Sequence, residues 1–293
     1  MLGAALSRSL SARNASVLQL VRSAPTLPNQ LLWDFTATPA IAHVEGLEDL
    51  SAAIHLSGAN LAAHRWTEDY ARELAVSRIL STRVLSTTLA SLRRPPKTLL
   101  VASAVGIYGN RGEALLDETS LPGSGFLANL CQEWEAAAQP AVDAGIRVLH
   151  LRFGVILGPG PGALARLLPI FRFGFGGRLG SGRQFMSWIS LADVLAAILF
   201  LLDSQNLSGP VNLTAPNPVT NAQFTRILAG LLHRPAILPV PAFALRLAFG
   251  PMVDELLLSS ARVYPARLAA AGFQFAYPSL IHALPAVLHP DRS

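Results

Sequence analysis

The chain has little cysteine and no clustered histidines, which narrows the chemistry that it can carry. Its 293 residues include one cysteine, Cys131, so neither a disulfide within the chain nor a cysteine-based metal cluster is possible. None of the seven histidines belongs to an HExxH or HxxxH pair, so the sequence does not support a metal site. A lone cysteine suits a reducing compartment, and we expect a cytoplasmic protein.

Long apolar runs are also missing, although the chain is rich in apolar residues. Hydrophobic residues make up 51% of the chain and charged residues only 14%, a composition that excludes an intrinsically disordered protein. The longest apolar stretch covers residues 194–202, far short of the ~20 residues that span a bilayer. We therefore expect a globular protein with a large core and no membrane partner.

Lysine is nearly absent, because Lys97 is the only one in the chain. The net charge of +5 comes from arginines that are scattered through the sequence, with no basic run longer than the pair Arg93 and Arg94. Nucleic-acid binding would need clustered basic residues with aromatic residues between them. The sequence therefore predicts no nucleic-acid partner.

Acidic residues are missing from the start of the chain, where the first is Asp34. Three arginines precede it among serines and apolar residues: Arg8, Arg13 and Arg22. This composition is typical of a mitochondrial transit peptide, and it equally fits the amphipathic first helix of a folded domain. The rest of the sequence decides between the two interpretations.

Apolar segments of strand length alternate with segments of helical periodicity. The strand candidates are residues 16–21, 52–56, 98–103 and 146–152, and the helix candidates are residues 4–12, 67–92 and 127–144. Buried strands that alternate with helices predict an α/β fold with a parallel sheet and right-handed crossovers. After about residue 160, glycine-rich loops and shorter elements predict a second, smaller lobe that contributes to a substrate pocket.

The loops at the carboxyl ends of these strands are the candidate ligand site, because parallel α/β sheets bind ligands there. Arg22 directly follows the strand at 16–21, and a cation at that place suits the 2′-phosphate of NADP, whereas a carboxylate would suit NAD. A solvated arginine at a strand end is the alternative. Ser57 and Gly58 follow the next strand and would let the backbone approach a cofactor closely, although they also fit an ordinary turn.

Several segments together carry a resemblance to a known family. They are LSGANLAAHRWT (56–67), SRILSTR (77–83), SAVGIYGNRG (103–112), LCQEWEAAA (130–138), LRFGVILGPGPGAL (151–164), GGRLGSGRQFMSWISLADV (176–194) and GPVNLTAPNPVTNAQF (209–224). With them the chain resembles the extended short-chain dehydrogenase/reductase superfamily, and within it the NAD(P)-dependent epimerase/dehydratase-like group of epimerase family proteins of the 39U type. From residues 234–245 to 272–278 it resembles the C-terminal domain of unknown function (DUF1731) of this group.

The resemblance implies a doubly wound, parallel Rossmann-like sheet in residues 1–205 and a small C-terminal α/β lobe in residues 206–293, with residues 160–190 forming pocket loops. Family members begin with a strand and a GxxGxxG loop, of which only the last glycine has a counterpart here, Gly3. We therefore expect a sheet that lacks its first, central strand, and a reading frame whose true start lies upstream. The alignment also favours the first Rossmann helix over a transit peptide for the arginine-rich start.

The resemblance implies which positions contact an NADP cofactor. They are Gly3, Val21, Arg22, Leu56, Ser57, Glu73, Arg78 and Ile156. Val21 and Arg22 match the strand end that meets the adenosine phosphate, and Ile156 matches a position near the nicotinamide half. Glu73 and Arg78 match helix positions that face the cofactor. Without the resemblance these two would be read as a surface pair.

For catalysis the resemblance implies Ser103, which matches the serine that hydrogen-bonds the reacting hydroxyl or carbonyl. The superfamily's usual acid/base is a Tyr-xxx-Lys pair, and here Cys131 and Glu135 stand at the matching positions. Tyr108 is the phenol nearest to Ser103 in sequence and is the candidate substitute acid or base, with a packing role as the alternative. Cys131 as a nucleophile is a weaker hypothesis, since a lone cysteine is usually a small buried apolar residue.

Taken with the resemblance, the sequence predicts an NADP-dependent epimerase or oxidoreductase of the extended short-chain dehydrogenase type that acts on a small polar or nucleotide-linked substrate. Two alternatives stay open: a non-catalytic NADP(H)-binding sensor or regulatory protein, and an inactive truncated member of the family. A full-length protein that binds NADPH but transfers no hydride to any carbonyl substrate would support the sensor. The sequence specifies neither the substrate nor the oligomeric state.

Overall fold

Helices and strands alternate along the chain in a computed structural model that describes residues 2–250 and 252–288. The first part contains α1 (Leu2–Ala12), β1 (Gln19–Val21), β2 (Gln30–Leu32), β3 (Ala52–His55), α2 (Glu68–Ala75), α3 (Ser81–Ala90) and β4 (Thr98–Ala104). The middle part contains β5 (Leu115–Leu116), α4 (Phe126–Ala136), α5 (Gln139–Asp143), β6 (Arg147–Phe153), β7 (Val155–Leu157), α6 (Ala163–Arg172), β8 (Phe185–Met186), β9 (Trp188–Ser190), α7 (Leu191–Asp203) and β10 (Gly209–Leu213). The last part contains β11 (Val219–Thr220), α8 (Asn221–Leu231), α9 (Ala242–Phe249), α10 (Met252–Leu256), β12 (Arg262–Val263), α11 (Ala266–Ala270) and α12 (Leu280–Leu288).

The central sheet has four parallel strands in the order β3, β4, β6 and β10. The inner strand β4 reads TLLVASA, and its first six residues are buried, so both of its faces are covered. Leu99 and Val101 pack into a cluster with α3, α4 and α5, whereas Leu100 packs into one with α1 and α7. This alternation is the period of two that a strand imposes. It confirms the predicted Rossmann-like α/β fold with helices on both faces of a parallel sheet.

Strands β1 and β2 form a separate two-stranded parallel sheet and do not extend the central one. The carboxyl ends of β1 and β3 nevertheless lie on the same side. Trp33 donates its backbone N–H to Val21, the last residue of β1, at 2.8 Å. The Trp33 ring also lies edge-on to that of His55, the last residue of β3, with 5.4 Å between ring centroids. The break falls where the resemblance places the family's first strand.

A cavity of about 450 Å³ separates β1 from β3, and we call it the inter-sheet groove. Its side walls are residues 18–21 and 52–57, and helices α1 and α3 cover its two faces with leucine side chains. Within the described part of the chain, the lining of this groove contains no aspartate, glutamate, lysine or arginine. The split in the sheet is therefore an apolar slot between two strand edges.

The arginine-rich start of the chain is helix α1, as the first-helix interpretation requires. Its Ala5 and Leu6 are buried, and Leu6 packs in the same cluster as Val194 and Ile198 of α7. The helix therefore belongs to the folded layer over the central sheet. Among the helices of residues 2–250 and 252–288, none has the length and apolar character that crossing a bilayer requires.

Hydrogen bonds join the C-terminal segment to the first part of the molecule. Asp193, at the start of α7, accepts backbone N–H groups of Ala276 at 2.7 Å and Tyr277 at 3.1 Å. Strand β12 pairs with β5, and β11 pairs with β8. Strand β10 follows residue 205 and is the end strand of the central sheet, so this strand comes from the segment that the sequence assigns to the lobe. The domain boundary at 205 and 206 stays a prediction.

Candidate functional site

A polar cluster lies at the carboxyl ends of β4 and β6, the edge at which parallel sheets bind ligands. Ser103 of β4 stands directly opposite Arg152 of β6 in the strand register. Glu135 reaches both from α4. Its carboxylate accepts a hydrogen bond from Ser103 Oγ at 2.7 Å and two from the Arg152 guanidinium, each at 2.8 Å. These three side chains form one connected network, which we call the Ser–Glu–Arg cluster.

The ion pair in this cluster is shielded from water. The Glu135 and Arg152 side chains are only 13% and 8% exposed. Burial by itself lowers the pKa of Arg152, but the hydrogen bonds and the charge of Glu135 outweigh it, so that this pKa lies above its ordinary value. Two parallel hydrogen bonds also fix the plane of the carboxylate. The arrangement therefore holds a negative carboxylate in one orientation beside the Ser103 hydroxyl.

Tyr108 joins the cluster through Arg152. It is fully buried, and its hydroxyl accepts a hydrogen bond from Arg152 at 3.0 Å and donates one to Asn212 Oδ1 at 2.8 Å. Burial raises the pKa of the Tyr108 phenol. Two side chains, Glu135 and Arg152, thus connect Tyr108 to Ser103, and the Tyr108 proton is engaged by Asn212. Its role as an acid or base stays a prediction.

Cys131 lies on α4, one turn before Glu135, and is buried. Burial raises the pKa of its thiol to about 12. Because the thiolate is the nucleophilic form, a thiol with this pKa is unreactive at neutral pH. The environment of Cys131 therefore favours the packing role.

Four of the predicted cofactor residues line the inter-sheet groove. They are Gly3, Val21, Leu56 and Ser57. Val21 and Leu56 stand at the carboxyl ends of β1 and β3, and Gly3 lies in the first turn of α1. Ile156 of β7 packs against the same apolar cluster as Leu56. The structure therefore brings these five positions to one edge of the sheets.

Arg78 lies in a π-helical turn, Val76–Leu80, that joins α2 to α3. Its side chain is buried, and the guanidinium lies over the Trp134 ring, 5.2 Å from the ring centroid. It donates hydrogen bonds to the carbonyl oxygens of Ala59 at 2.9 Å and Leu74 at 3.2 Å. Burial lowers the pKa of this guanidinium. Arg78 is thus held beneath the turn that follows β3 and forms no surface pair with Glu73.

Glu73 and Arg22 are both exposed. Glu73 lies on α2, and Arg22 directly follows β1. Within residues 2–250 and 252–288, neither side chain takes part in a salt bridge. Arg22 is therefore a free cation at the strand end where the sequence places the adenosine phosphate.

The residues at this edge suit a phosphate-bearing dinucleotide. Arg22 is free, and the Arg78 guanidinium packs so closely under Gly58 that a Cβ there would come within 3.3 Å of it. Gly3 has open space beside it, since nothing lies within 4 Å of the place where its Cβ would be. Cations, small residues and a helix N-terminus are the features that bind dinucleotide phosphates. That Arg22, Ser57, Arg78 and Gly3 hold the phosphates, with Ile156 near the nicotinamide half, stays a prediction.

The helix that carries Glu135 receives its N-terminal cap from the C-terminal segment. Helix α4 follows Gly125 and has no capping side chain of its own. The Glu255 carboxylate of α10 accepts backbone N–H groups from Phe126 at 3.0 Å and Leu127 at 3.2 Å. A carboxylate at a helix N-terminus accepts hydrogen bonds from backbone N–H groups that have no partner within the helix. Its negative charge also interacts favourably with the positive end of the helix dipole. The C-terminal segment therefore helps to position the helix of the Ser–Glu–Arg cluster.

Two functional contributors were missed by the sequence reasoning, Arg152 and Glu255. The signal for Arg152 was a charged residue at the carboxyl end of the buried strand IRVLHLR. Such a residue needs a partner, because a buried charge is costly unless it is paired. For Glu255 no local signal exists, since the amides that it binds are more than a hundred residues away in the sequence. 

Comparison with known proteins gives a family and close relatives. The profile of the NAD dependent epimerase/dehydratase family matches residues 1–213, and that of the domain of unknown function DUF1731 matches residues 240–287. An epimerase family protein of Mycobacterium bovis (Mb2239) is 45% identical over 284 residues, which cover 97% of this chain and 93% of the relative. The human epimerase family protein SDR39U1 is 35% identical over 286 residues, which cover 97% of this chain and 94% of the relative.

Two solved structures resemble this fold at useful sequence identity. The crystal structure of human SDR39U1 (isoform 2) with NADPH has 33% identity and a TM-score of 0.89, and the match covers 98% of this chain and 95% of that one. The nucleoside-diphosphate sugar epimerase from Corynebacterium glutamicum has 34% identity and a TM-score of 0.80, and the match covers 98% of this chain and 56% of that one. The chain therefore belongs to the NAD dependent epimerase/dehydratase family of extended short-chain dehydrogenases, in the group that carries a DUF1731 domain at its C-terminal end.

Proposed function

We propose that the protein is an NADP-dependent epimerase or oxidoreductase that acts on a small polar or nucleotide-linked substrate. The observation that carries the proposal is the hydrogen bond from Ser103 Oγ to the ion-paired Glu135 carboxylate, 2.7 Å long. A serine hydroxyl held by a carboxylate is a proton relay, which is the function that the missing Tyr-xxx-Lys pair has elsewhere in the superfamily. The match to the NAD dependent epimerase/dehydratase family supports hydride-transfer chemistry.

The proposed mechanism follows from the direction of the hydrogen bonds. Because Ser103 donates its proton to Glu135, its oxygen is free to accept a proton from a substrate hydroxyl. Oxidation of that hydroxyl moves its proton to Ser103 Oγ while the Ser103 proton moves to the carboxylate. Arg152 holds the carboxylate in place through two hydrogen bonds. A bound nicotinamide dinucleotide supplies the hydride-transfer chemistry.

Tyr108 remains our second candidate for the acid or base, acting through Arg152. Its hydroxyl and Ser103 contact the same ion pair, so a change in the charge of Glu135 reaches both. Replacement of Tyr108 by phenylalanine removes the hydroxyl and keeps the ring. If Tyr108 acts in proton transfer, this change lowers turnover and shifts the pH profile, whereas a packing role changes stability alone.

For the cofactor we propose NADP and the positions that the sequence assigns. They are Gly3, Val21, Arg22, Leu56, Ser57, Glu73, Arg78 and Ile156. The exposed guanidinium of Arg22 supports NADP over NAD, because it is free to meet a 2′-phosphate. The human relative whose structure contains NADPH supports the same choice. The buried lone cysteine supports the proposed cytoplasmic setting, where thiols stay reduced.

The experiment tests cofactor binding and hydride transfer separately. NADPH affinity is measured by fluorescence titration, and NADPH oxidation is followed by absorbance with a panel of keto sugars linked to nucleoside diphosphates. We expect Arg22→Glu to weaken NADPH binding at least tenfold, and NADH binding less. We expect Ser103→Ala to lower turnover by about 100-fold or more and to leave NADPH affinity unchanged. Ser91→Ala, at the exposed end of α3, is the control.

A non-catalytic NADP(H)-binding protein is the second candidate. The observation that favours it is the burial of Ser103, which is only 2% exposed and already has a partner in Glu135. A sensor of this kind binds NADPH with the Arg22 dependence described above and oxidises it with no substrate of the panel. Turnover that depends on Ser103 contradicts the sensor.

A further inference from the structure

We infer that one face of the protein binds the surface of an anionic lipid bilayer, with apolar side chains inserted between the headgroups and arginines on the lipid phosphates. The inference concerns an interaction surface and does not rest on the proposed function. Large exposed apolar patches mark sites of interaction with proteins or membranes. Six apolar side chains in the second half of the chain are 63–84% exposed, and we call them the apolar face: Phe173, Phe175, Ile237, Leu238, Phe243 and Leu247.

The apolar face is continuous, because two segments of the chain run side by side. Val240 donates its backbone N–H to the carbonyl oxygen of Arg178 at 2.9 Å. Earlier in both segments, Arg234 Nε donates to the carbonyl oxygen of Arg172 at 2.8 Å. The stretches between these two contacts carry four members of the apolar face, two in each segment, which are therefore neighbours.

Helix α9 extends the apolar face. Phe243 and Leu247 are four residues apart and share one side of the helix, whereas Leu245 lies on the opposite side and is 5% exposed. A surface helix of a globular protein usually turns its apolar side to the core and its polar side to water. Here the side turned to water is apolar as well, which is typical of a helix that meets a lipid surface.

The charge around the apolar face is of one sign. Residues 163–183 and 226–249, which contain the face, have seven arginines and no aspartate or glutamate. Arg172, Arg178 and Arg234 are exposed, and within residues 2–250 and 252–288 none of them takes part in a salt bridge. Free guanidinium groups beside exposed phenylalanine and leucine side chains complement the phosphates and acyl chains of an anionic bilayer.

The same features disfavour two other occupants. A second copy of the chain would bring the arginines of one face against those of the other, with no carboxylate in these segments to pair with them. A single-stranded nucleic acid stacks its bases on aromatic rings, but three members of the face are aliphatic: Ile237, Leu238 and Leu247. A bilayer accepts aromatic and aliphatic side chains alike.

Association of this kind does not require a membrane span. The expectation of no membrane partner rests on the lack of an apolar segment that is long enough to cross a bilayer. A helix that lies in the plane of the surface needs no such length. Because part of the attraction is between exposed charges, binding is expected to weaken as salt screens them.

The test measures sedimentation of the whole chain with vesicles of phosphatidylcholine and phosphatidylserine, and with vesicles of phosphatidylcholine alone. We expect about tenfold or higher affinity for the vesicles with phosphatidylserine, and loss of this preference at high salt. Phe243→Glu combined with Leu247→Glu should lower the affinity about tenfold or more, because carboxylates do not enter the interface. The matched control is Val142→Glu, a side chain of α5 that is 44% exposed and lies outside the face.

A second pair of variants tests the charges separately. Arg172→Gln combined with Arg178→Gln keeps the apolar face and removes two cations beside it, so it should reduce the preference for phosphatidylserine. Arg83→Gln combined with Arg93→Gln removes two exposed cations elsewhere and should leave the preference unchanged.

Amide hydrogen exchange locates the contact in the unchanged chain, so it tests the inference even where a variant is unstable. We expect bound vesicles to slow exchange in residues 237–249 and to leave residues 98–104 of the central sheet unchanged.

Four results overturn the inference. They are equal affinity for the two kinds of vesicle, an equal loss of affinity in the face variants and their controls, and unchanged exchange in residues 237–249 at saturating vesicle concentration. The fourth is a dimer in sedimentation equilibrium that Phe243→Glu with Leu247→Glu dissociates, since a second copy would then cover the face.

Discussion

Glu135 and Arg152 show how much of the site depends on a single buried charge pair. The Glu135→Gln change keeps the size of the side chain and removes its charge, which leaves the guanidinium of Arg152 buried without a counterion. Breaking a buried pair in this way costs about 3–5 kcal/mol. We expect the free energy of unfolding to fall by an amount in this range, measured by urea denaturation.

The matched control is the exposed pair of Arg13 and Asp203, whose side chains are 50% and 65% exposed. Surface pairs contribute about 0–1 kcal/mol, so Asp203→Asn is expected to change stability little. A Glu135→Gln variant as stable as Asp203→Asn would show that Arg152 finds another partner or water.

The burial of His55 makes the free energy of unfolding depend on pH. It is 2% exposed, and burial lowers its pKa to about 4. The unfolded chain, with a histidine pKa of about 6.5, binds the proton more tightly than the folded protein. The free energy of unfolding therefore falls as the pH drops from about 6.5 toward 4, by about 2 kcal/mol between pH 6.5 and 5. Urea denaturation at pH 7.5 and 5 measures this loss.

In the His55→Gln variant this contribution is absent, and we expect the difference in stability between the two pH values to shrink by about 2 kcal/mol. His150 is half-buried, and burial lowers its pKa too, so it adds a change of the same sign that persists in the variant. An unchanged pH dependence in His55→Gln would mean that His55 is accessible to protons in the folded protein.

The sequence predicted individual residues only where a motif carried them. Ser103 followed from alignment to a family position, and Glu135 was identified only as the residue that stands where the family has lysine. The hydrogen bond between them depends on how α4 lies over β4. Arg152 meets them because β4 and β6 pair in one particular register, with Ser103 opposite Arg152. Register is set by the packing of whole strands, and a local pattern does not contain it.

At the scale of elements, the cap on α4 is the contact most open to a test. Replacing Glu255 by alanine removes the acceptor for the amides of Phe126 and Leu127. Loss of an N-cap costs about 0.5–2 kcal/mol, and we expect Glu255→Ala to lower the free energy of unfolding by about 1 kcal/mol. Faster amide exchange at the start of α4 is the second readout.

Gly125→Ala tests the same contact from the other side. Gly125 has a φ of 108°, and a Cβ there would lie 2.5 Å from the Glu255 carboxylate oxygen. The variant therefore displaces the carboxylate and adds backbone strain, so it should cost more than Glu255→Ala. The control is Glu113→Ala, because its pair with Arg183 is exposed. Equal stability of all three variants would show that α4 is capped by water.

Helix lengths were predicted less well than helix positions. The predicted helix at 67–92 is interrupted by the π-helical turn Val76–Leu80, which places Arg78 under the turn after β3. The predicted helix at 127–144 is two helices, α4 and α5, and Pro140 stands in the first turn of the second. Apolar periodicity continues through both interruptions, so the sequence pattern alone does not reveal them. The three-residue strand β2 was not predicted.

At the scale of the whole molecule, we expect the two matched family segments to unfold as one cooperative unit. The buried Asp193 binds the amides of Ala276 and Tyr277, and Glu255 reaches α4. Neither contact can form if one segment unfolds alone. We expect a single calorimetric transition with equal calorimetric and van't Hoff enthalpies.

The Asp193→Ala variant tests how the unit is held together. It removes the acceptor of the Ala276 and Tyr277 amides. Because Ala276 is exposed and Tyr277 is half-buried, each lost hydrogen bond costs about 0.5–1.5 kcal/mol. We expect one transition at a lower temperature. A scan that resolves into two transitions, in either the parent or the variant, would show that the segments unfold independently.

Fold class and family were predictable from the sequence, because alternating buried strands and helices occur throughout the chain and the motifs extend over most of it. The contacts between the two segments were not, since they join residues that are far apart in the sequence. The place of β10 illustrates the difference. Its apolar pattern predicts a strand but does not say which sheet the strand joins. Only its pairing with β6 makes it the end strand of the central sheet.

The strand order has a consequence for synthesis of the protein. The four strands of the central sheet follow one another in space as they do in the sequence, β3, β4, β6 and then β10. Chains are made from the amino end, and segments fold as they emerge from the ribosome. When each new strand emerges, the strand with which it pairs has therefore already been synthesised. The new strand can then add to the open edge of the sheet. Assembly of the central sheet can proceed in one direction during translation, without waiting for the C-terminal helices.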